Sequence, residues 1–300
     1  MRRELRLYRR IHVKKPKRVV QRGEVRWLRQ VFPYSGLLER VRETQIDAVL
    51  VRASDDVQSI SLDAFMCEGI RHMAYASVFA IAAALLSFLA RMLQGAGLLL
   101  MWPAVSFLLV ALAYAGAGPK VLGKRPDGRM QPVTVLMLLP YLLLTWGTWR
   151  LVRLLSRERP HDRVVPDVVV GRRLLPGELP EGVTVVLDLT AEFIEPDGIR
   201  GACRYVSLPI LDASTLPAEE VAPVLLELAT IPGPIYVHCA QGHGRTGMIA
   251  AALLVARGDA PDEREALAMI QRVRPAVRTS TAQQRALAEL AAALRRASAT

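Results

Sequence analysis

Cysteine is scarce in this chain: three stand in 300 residues, Cys67, Cys203 and Cys239, an odd number at irregular spacing. Neither a disulfide framework nor a four-ligand zinc site follows from that. Acidic residues are nearly missing from the first thirty positions, MRRELRLYRRIHVKKPKRVVQRGEVRWLRQ, where two Glu face twelve Lys/Arg. No apolar core follows this basic start directly, so it is not a secretory signal peptide. It reads as a solvated basic arm or as a tail that touches anionic lipid, with a start codon assigned too early as a third reading. Residues 31–70 are mixed and polar and carry no assignable task. The positive excess stops with the first half. Residues 1–160 carry 25 Lys/Arg against 11 Asp/Glu, and residues 161–300 carry 14 against 17.

Charge of either sign is absent from three long stretches: AYASVFAIAAALLSFLA (74–90), GLLLMWPAVSFLLVALAYAGAG (97–118) and PVTVLMLLPYLLLTWGTW (132–149). About 20 apolar residues cross a hydrocarbon core as a helix. The candidate spans are therefore 74–94, 97–118 and 132–150, with Trp102, Trp146 and Trp149 near segment ends where interfacial aromatics belong. Three such runs in one region argue against buried soluble helices. The expected organisation is a basic, polar region (1–70), an all-α transmembrane region (71–155) and a globular domain (160–300). The basic N-terminus, the loop GPKVLGKRPDGRMQ and the exit at Arg150, Arg153, Arg157 and Arg159 all call for the cytoplasmic side. Three full spans cannot satisfy all of them. The first segment, short and joined to the second by QGAG, is expected to be interfacial or re-entrant, leaving both ends and the globular domain cytoplasmic.

From Pro160 the pattern changes. VVPDVVV reads as a short strand before a Gly/Pro-rich turn, and VTVVLDLT (183–190), CRYVSLPILD (203–212) and PIYVHC (234–239) read as further strands. PAEEVAPVLLELATI (217–231), TGMIAAALLVARG (246–258), DEREALAMIQRVRP and TAQQRALAELAAALRRA read as helices. Strands alternating with helices predict an α/β domain with a mainly parallel sheet.

Between the last strand and its helix stands HCAQGHGRTG, His238 to Gly247. A helix beginning at Thr246 aims its unpaired N–H groups and the positive end of its dipole at the loop. Glycines 242, 244 and 247 let the backbone curl into an anion nest, a setting that favours a thiolate at Cys239. Arg245, six residues on, returns its guanidinium to the same anion. These are the parts for nucleophilic attack on a phosphoryl group.

The stretch resembles the His-Cys-x5-Arg-[Ser/Thr] signature loop of the cysteine-based protein tyrosine and dual-specificity phosphatases. The likeness covers roughly residues 163–292, with VGRRLLP similar to the opening strand and turn, LPILD to the segment carrying the general-acid aspartate, and VRPAVRTSTAQQRAL to the closing helical region. The resemblance implies a three-layer dual-specificity-phosphatase-like domain and a set of roles. Cys239 is the nucleophile that forms a phosphocysteine. Arg245, with the loop N–H groups of Ala240, Gln241, Gly242, His243 and Gly244, binds the phosphate. Asp212 is the general acid, Thr246 donates a hydrogen bond to the sulfur, and His238 orients the loop. Asp188 and Asp197 stay open as alternatives to Asp212, although Asp188 also suits a turn at a strand end. His243 either adds a titratable contact to an anionic substrate or points to solvent. Cys203 is read as a buried strand cysteine, with capture of an oxidised Cys239 as the other option. Gln283 and Gln284 fall where the family often places a water-positioning glutamine.

The function expected is that of a membrane-anchored phosphatase of phosphomonoesters. Its partners are a phosphorylated protein or a phospholipid headgroup and the lipid bilayer, with no nucleic acid, cofactor or metal. VSLPILDASTLPAEE has no long insertion, which suggests a compact site without a deep phosphotyrosine-reading wall. The alternative is a phosphate-binding pseudophosphatase that scaffolds at the membrane. The first 160 residues lie outside the resemblance, so the membrane reading rests on hydropathy alone.

Overall fold

The computed structural model describes residues 62–298 of the chain, and the basic arm read in the N-terminal residues lies outside them. The apolar region opens with α1 (Leu62–Leu93), followed by a 3-10 segment (Gly95–Leu100) and α2 (Met101–Leu112). A π turn (Ala113–Ala117) breaks at Gly116, whose φ of 129° suits glycine alone. After a short 3-10 turn (Pro119–Leu122), α3 (Pro132–Leu155) begins on a proline, whose missing N–H is one that a helix start leaves unpaired anyway.

The stretches Met73–Leu93, Gly95–Ala117 and Pro132–Leu155 are long and apolar enough to cross a membrane. The first belongs to a 32-residue helix, so it is not the short element its charge-free core suggests. Asp63, Glu68 and Arg71 mark its first turns as polar, and hydropathy alone does not reveal the helix that continues through them.

The second region is the α/β domain: β1 (His161–Val165), β2 (Val168–Arg172), β3 (Val185–Thr190), α4 (Asp197–Arg200), β4 (Arg204–Ile210), α5 (Ala218–Ala229), β5 (Ile235–Cys239), α6 (Gly244–Arg257), α7 (Glu263–Val273) and α8 (Thr281–Ser298). The strand expected at VVPDVVV is instead a hairpin, because Pro166 and Asp167 turn the chain between β1 and β2. The sheet order is β1-β2-β5-β3-β4, with the β1–β2 pair antiparallel and the remaining pairs parallel. The domain is thus an α/β fold with a mostly parallel central sheet, as the alternation of strands and helices predicts.

Strand alternation sorts the core into two faces. Val168, Val170, Leu187 and Val237 pack with α5, α6, α7 and α8, while Val169, Val186 and Tyr236 pack with Leu174 and Ile199 on the other face. Helix α6 is buried at ten of its positions, including Arg245 and Thr246.

The apolar helices do not stand apart from this domain. Val110, Tyr114, Leu138, Tyr141 and Leu142 form a cluster with Ala191 and Leu211, the residues that follow β3 and β4. Trp146 Nε1 donates to the Glu192 carbonyl at 2.9 Å, and Trp149 Nε1 to the Ala240 carbonyl at 3.0 Å. Before α3, Lys124 Nζ reaches Asp188 and the Gly128 carbonyl accepts the Glu195 N–H at 3.0 Å. Helix α3 therefore packs on the domain through its middle and C-terminal half, near the C-terminal ends of the strands, while the loop before it supplies the contacts to Asp188 and Glu195.

Candidate active site

Cys239 ends β5 and Arg245 is the second residue of α6, so the strand and the helix hold the two ends of the loop between them. Gly242 has a φ of 74°, and a Cβ there would run into the main chain of Gly171 on β2, so this turn demands glycine. Both Cys239 and Arg245 are almost wholly buried, at 4% and 2% exposure, and both line a cavity of about 570 Å³.

Arg245 grips two carboxylates. Its guanidinium donates to Glu192 in a two-pronged pair (2.7 and 3.0 Å) and to the Ile210 carbonyl at 2.8 Å, and Asp212 Oδ1 lies 3.1 Å away. Burial alone would pull the guanidinium pKa down; Glu192 and Asp212 outweigh it and raise it well above its usual value. Asp212 lies on the loop after β4 with its side chain three-quarters exposed. Tyr114 Oη donates to its carbonyl at 3.3 Å, and the next residue, Ala213, has a φ of 56°, a left-handed conformation costly for a residue with a Cβ.

The other aspartates lie elsewhere. Asp188 is buried. Its Oδ1 accepts the Thr190 N–H at 2.8 Å, the strand-end turn expected of it, and its Oδ2 pairs with Lys124 at 2.5 Å. Asp197 lies in the first turn of α4, bonded to Arg200. Of the three, Asp212 lines the cavity with Cys239.

Behind the loop lies a buried polar cluster. His238 and Asp188 are register partners on β5 and β3. His238 Nε2 lies 3.9 Å from both Asp188 and Glu195, and its ring stacks on Tyr236 at 5.5 Å. Burial lowers the imidazole pKa to about 4, so the ring is neutral near pH 7 and can orient the loop without adding charge. Burial, then the charge of Asp188, pushes the Glu195 carboxyl up to about 8, despite Arg173 at 3.3 Å. Burial also pushes the Asp188 carboxyl up, but Lys124 overrides it and holds the group well below the usual carboxylate range. The three donors lie within 4.8 Å of one another, a spacing that could hold a metal ion, but the Lys124 ammonium already supplies a positive charge at Asp188.

Several expected residues are placed differently from one another. Thr246 Oγ1 is buried without a hydrogen-bond partner, so its expected bond to the sulfur is not formed here. His243 Nε2 meets Glu158 Oε2 at 2.8 Å on the rim of the cavity. Gln283 faces the cavity, its Oε1 accepting the Ser280 N–H at 3.1 Å, whereas Gln284 is exposed and bonds the Thr279 carbonyl. Cys203 precedes β4 at the opposite end of the sheet. Five strand residues at about 3.3 Å each put it roughly 16 Å from the level of Cys239, beyond reach of a disulfide without rearrangement.

Four contributors were not legible in the sequence. Glu192 sits just past β3, with nothing local to mark it as the partner of Arg245. Arg274 is buried behind the loop, donating to the Gly242 carbonyl at 3.0 Å and the Gln241 carbonyl at 3.2 Å while pairing with Asp162 and Glu158. Lys124 comes from the loop between the apolar helices. The fourth is an aromatic wall. Tyr75 and Phe79 of α1 stack on Tyr114 at 5.3 and 6.1 Å, Phe79 meets Tyr141 edge-on at 5.6 Å, and these four rings line the cavity with Trp149.

Residues 178–299 match the profile of the PTP-SAK family, described as "Swiss Army Knife protein, DSP-PTPase phosphatase domain". No curated protein matches the chain. Similar solved structures include Tk-PTP in its active form (23% identity, TM-score 0.40), covering 44% of this chain and 97% of that one. PTPMT1 in complex with PI(5)P is 17% identical with a TM-score of 0.42, covering 47% of this chain and 99% of that one. Human DUSP28 is 19% identical with a TM-score of 0.39, covering 46% of this chain and 97% of that one. The matched segment, which holds Cys239, Arg245 and Asp212, resembles a dual-specificity-type phosphatase domain.

Proposed function

We propose that the chain is a membrane-anchored phosphatase that hydrolyses phosphate monoesters through a phosphocysteine intermediate. The observation that carries this reading is the convergence of Cys239, Arg245 and Asp212 on one cavity at the N-terminus of α6. In the first step, Cys239 Sγ forms a bond to phosphorus as the bond from phosphorus to the leaving oxygen breaks, and the Asp212 carboxyl gives that oxygen its proton. The loop N–H groups and Arg245 hold the three equatorial oxygens as their charge grows. In the second step water attacks phosphorus, Asp212 takes its proton, and the S–P bond breaks to return the thiolate and release inorganic phosphate. Glu192 holds the Arg245 guanidinium in plane, and Arg274 fixes the outer curve of the loop.

The anchor reading is supported by the outward faces of the apolar helices. Val78, Ile81, Leu85, Phe88 and Met92 on α1 are 59–63% exposed, a surface that water disfavours and hydrocarbon accepts. The helices act as a roof laid on the domain, with their outer surface in the bilayer and the domain on the cytoplasmic side.

The test is phosphate release by the full chain in detergent, with para-nitrophenyl phosphate as substrate. Cys239→Ser should abolish release, and the Asp212→Asn variant should trap a phosphocysteine detectable by mass spectrometry. Release that survives Cys239→Ser would overturn the mechanism. Phosphate binding without turnover in the unaltered chain would favour the scaffold alternative.

A further inference from the structure

A second cavity, of about 840 Å³, lies beside the first. Helix α1 divides the two. Tyr75 and Phe79 face the cavity of Cys239, while Met73, Ala76, Ser77 and Ala80, offset around the same helix, face the second. Tyr114 borders both. The loop after β4 is shared as well: Asp212 and Ala213 line the first cavity, and Ser214 to Pro217 line the second. Whatever fills the second cavity therefore touches the loop that carries the expected general acid.

The far wall of this groove is Leu108, Ala111 and Leu112 of α2. Apart from Ser77, the side chains given to it by α1 and α2 offer no hydrogen-bonding group. A peptide main chain laid there would leave its N–H and C=O groups unpaired on that side, at a cost that an aliphatic chain does not incur. The groove also continues outward onto the exposed apolar surface of α1 and α2, where Leu108 and Leu112 are 48% and 50% exposed. Its occupant thus reaches the phosphate site from the same apolar medium that the outer helix faces require.

Resting on the phosphatase reading above, we infer that the substrate is a lipid phosphate monoester. Its phosphate sits on the Cys239–Arg245 loop, its polar linker lies among the aromatic rings, and its acyl chain lies over Tyr114 in the groove between α1, α2 and the Asp212–Pro217 loop. The reaction remains cleavage of the phosphorus–oxygen bond, with the lipid alcohol as leaving group. Arg278, an exposed cation on the rim of the first cavity that makes no hydrogen bond or ion pair with the described residues, faces any further anionic group on the linker.

The test uses the full chain in mixed micelles and compares kcat/KM for dioleoyl phosphatidate, dibutyryl phosphatidate and a phosphotyrosyl peptide. The long-chain lipid is expected to exceed the short-chain one by about tenfold or more, since each buried methylene adds to binding. Filling the groove with Ala80→Phe or Leu112→Trp, both at exposed positions, should collapse that ratio towards one. The ratio is taken on one preparation, so a misfolded fraction cancels. A ratio near one in the unaltered chain, a ratio untouched by both variants, or a peptide preferred over both lipids would overturn the lipid assignment. Turnover of none of these nor of para-nitrophenyl phosphate would sink the phosphatase reading and this inference together, whereas turnover without chain-length dependence sinks the inference alone.

Discussion

Helices α3 and α6 are both rich in apolar residues, for opposite reasons. Helix α6 has ten buried residues in fourteen, among them Ile249, Leu253 and Leu254, so the sheet and its neighbouring helices account for its composition. Helix α3 has four buried residues in twenty-four, while Leu136, Leu143, Leu151, Leu154 and Leu155 are each more than half exposed. The domain explains one helix and cannot explain the other. Apolar composition read along a chain therefore names a medium only after it is known which face is covered. The four covered positions of α3 also show where the two regions join, because Tyr141 and Trp149 both border the cysteine cavity.

If the regions are one working unit, their joints should break it. The largest effect is expected at Lys124, whose ammonium is fully buried with Asp188 and also donates to Thr190 at 2.9 Å. Lys124→Ala leaves the Asp188 carboxylate buried without its cation, which costs about 3–5 kcal/mol. Thermal unfolding in detergent reads this, and the pair Lys124→Met with Asp188→Asn, which removes both charges but keeps an acceptor for the Thr190 N–H, should recover most of the loss. Next is Glu192→Gln, which keeps the shape but removes the charge that aligns Arg245. We expect kcat/KM for an aryl phosphate to fall by about 100-fold with little change in melting temperature. An unchanged kcat/KM would mean that Arg245 is positioned by the Ile210 carbonyl and the loop alone.

Most of the domain was legible because its signals are local. The β-branched runs are strands, the glycine after α6 ends it in a left-handed conformation (φ 77° at Gly258), and the spacing of Cys239 and Arg245 is set by one turn of chain. What was missed depends on distance. Glu192 meets Arg245 across 53 positions, Arg274 meets Glu158 across 116, and Lys124 meets Asp188 across 64. No period or motif in one sequence encodes such pairs. The hairpin at Pro166 escaped because a proline inside a valine run reads as an interruption of one strand. The aromatic wall escaped because Tyr75, Phe79, Tyr114 and Tyr141 look like ordinary residues of apolar helices until the helices are laid on the domain.

A smaller effect than those at Lys124 and Glu192 comes from pH. Glu195, raised from 4.5 to about 8, binds its proton more tightly when folded, so its contribution is complete below about 4.5 and is lost as pH rises towards 8. His238, lowered from 6.5 to about 4, works the other way, contributing fully above 6.5 and losing that as pH falls towards 4. Between 6.5 and 8 Glu195 is the group of this pair that titrates, and stability should fall by up to about 2 kcal/mol. Urea unfolding at the two pH values checks this, and Glu195→Gln should flatten the slope. An equal slope in that variant would place the titration elsewhere.

The smallest expected effect bears most directly on how the apolar roof serves the loop. Trp149 joins them by one hydrogen bond to the Ala240 carbonyl, with the Arg173 guanidinium 5.3 Å from the indole ring. Trp149→Phe keeps an aromatic face and removes the donor, leaving the Ala240 carbonyl to the Arg173 N–H, a longer bond at 3.3 Å. The loss should be about 1 kcal/mol in stability and a several-fold decrease in kcat/KM. A decrease approaching that of Glu192→Gln would mean that the roof shapes the phosphate nest itself. No decrease would mean that the strand, α6 and Arg274 are enough to hold it, and that α3 matters for what reaches the loop rather than for how the loop is built.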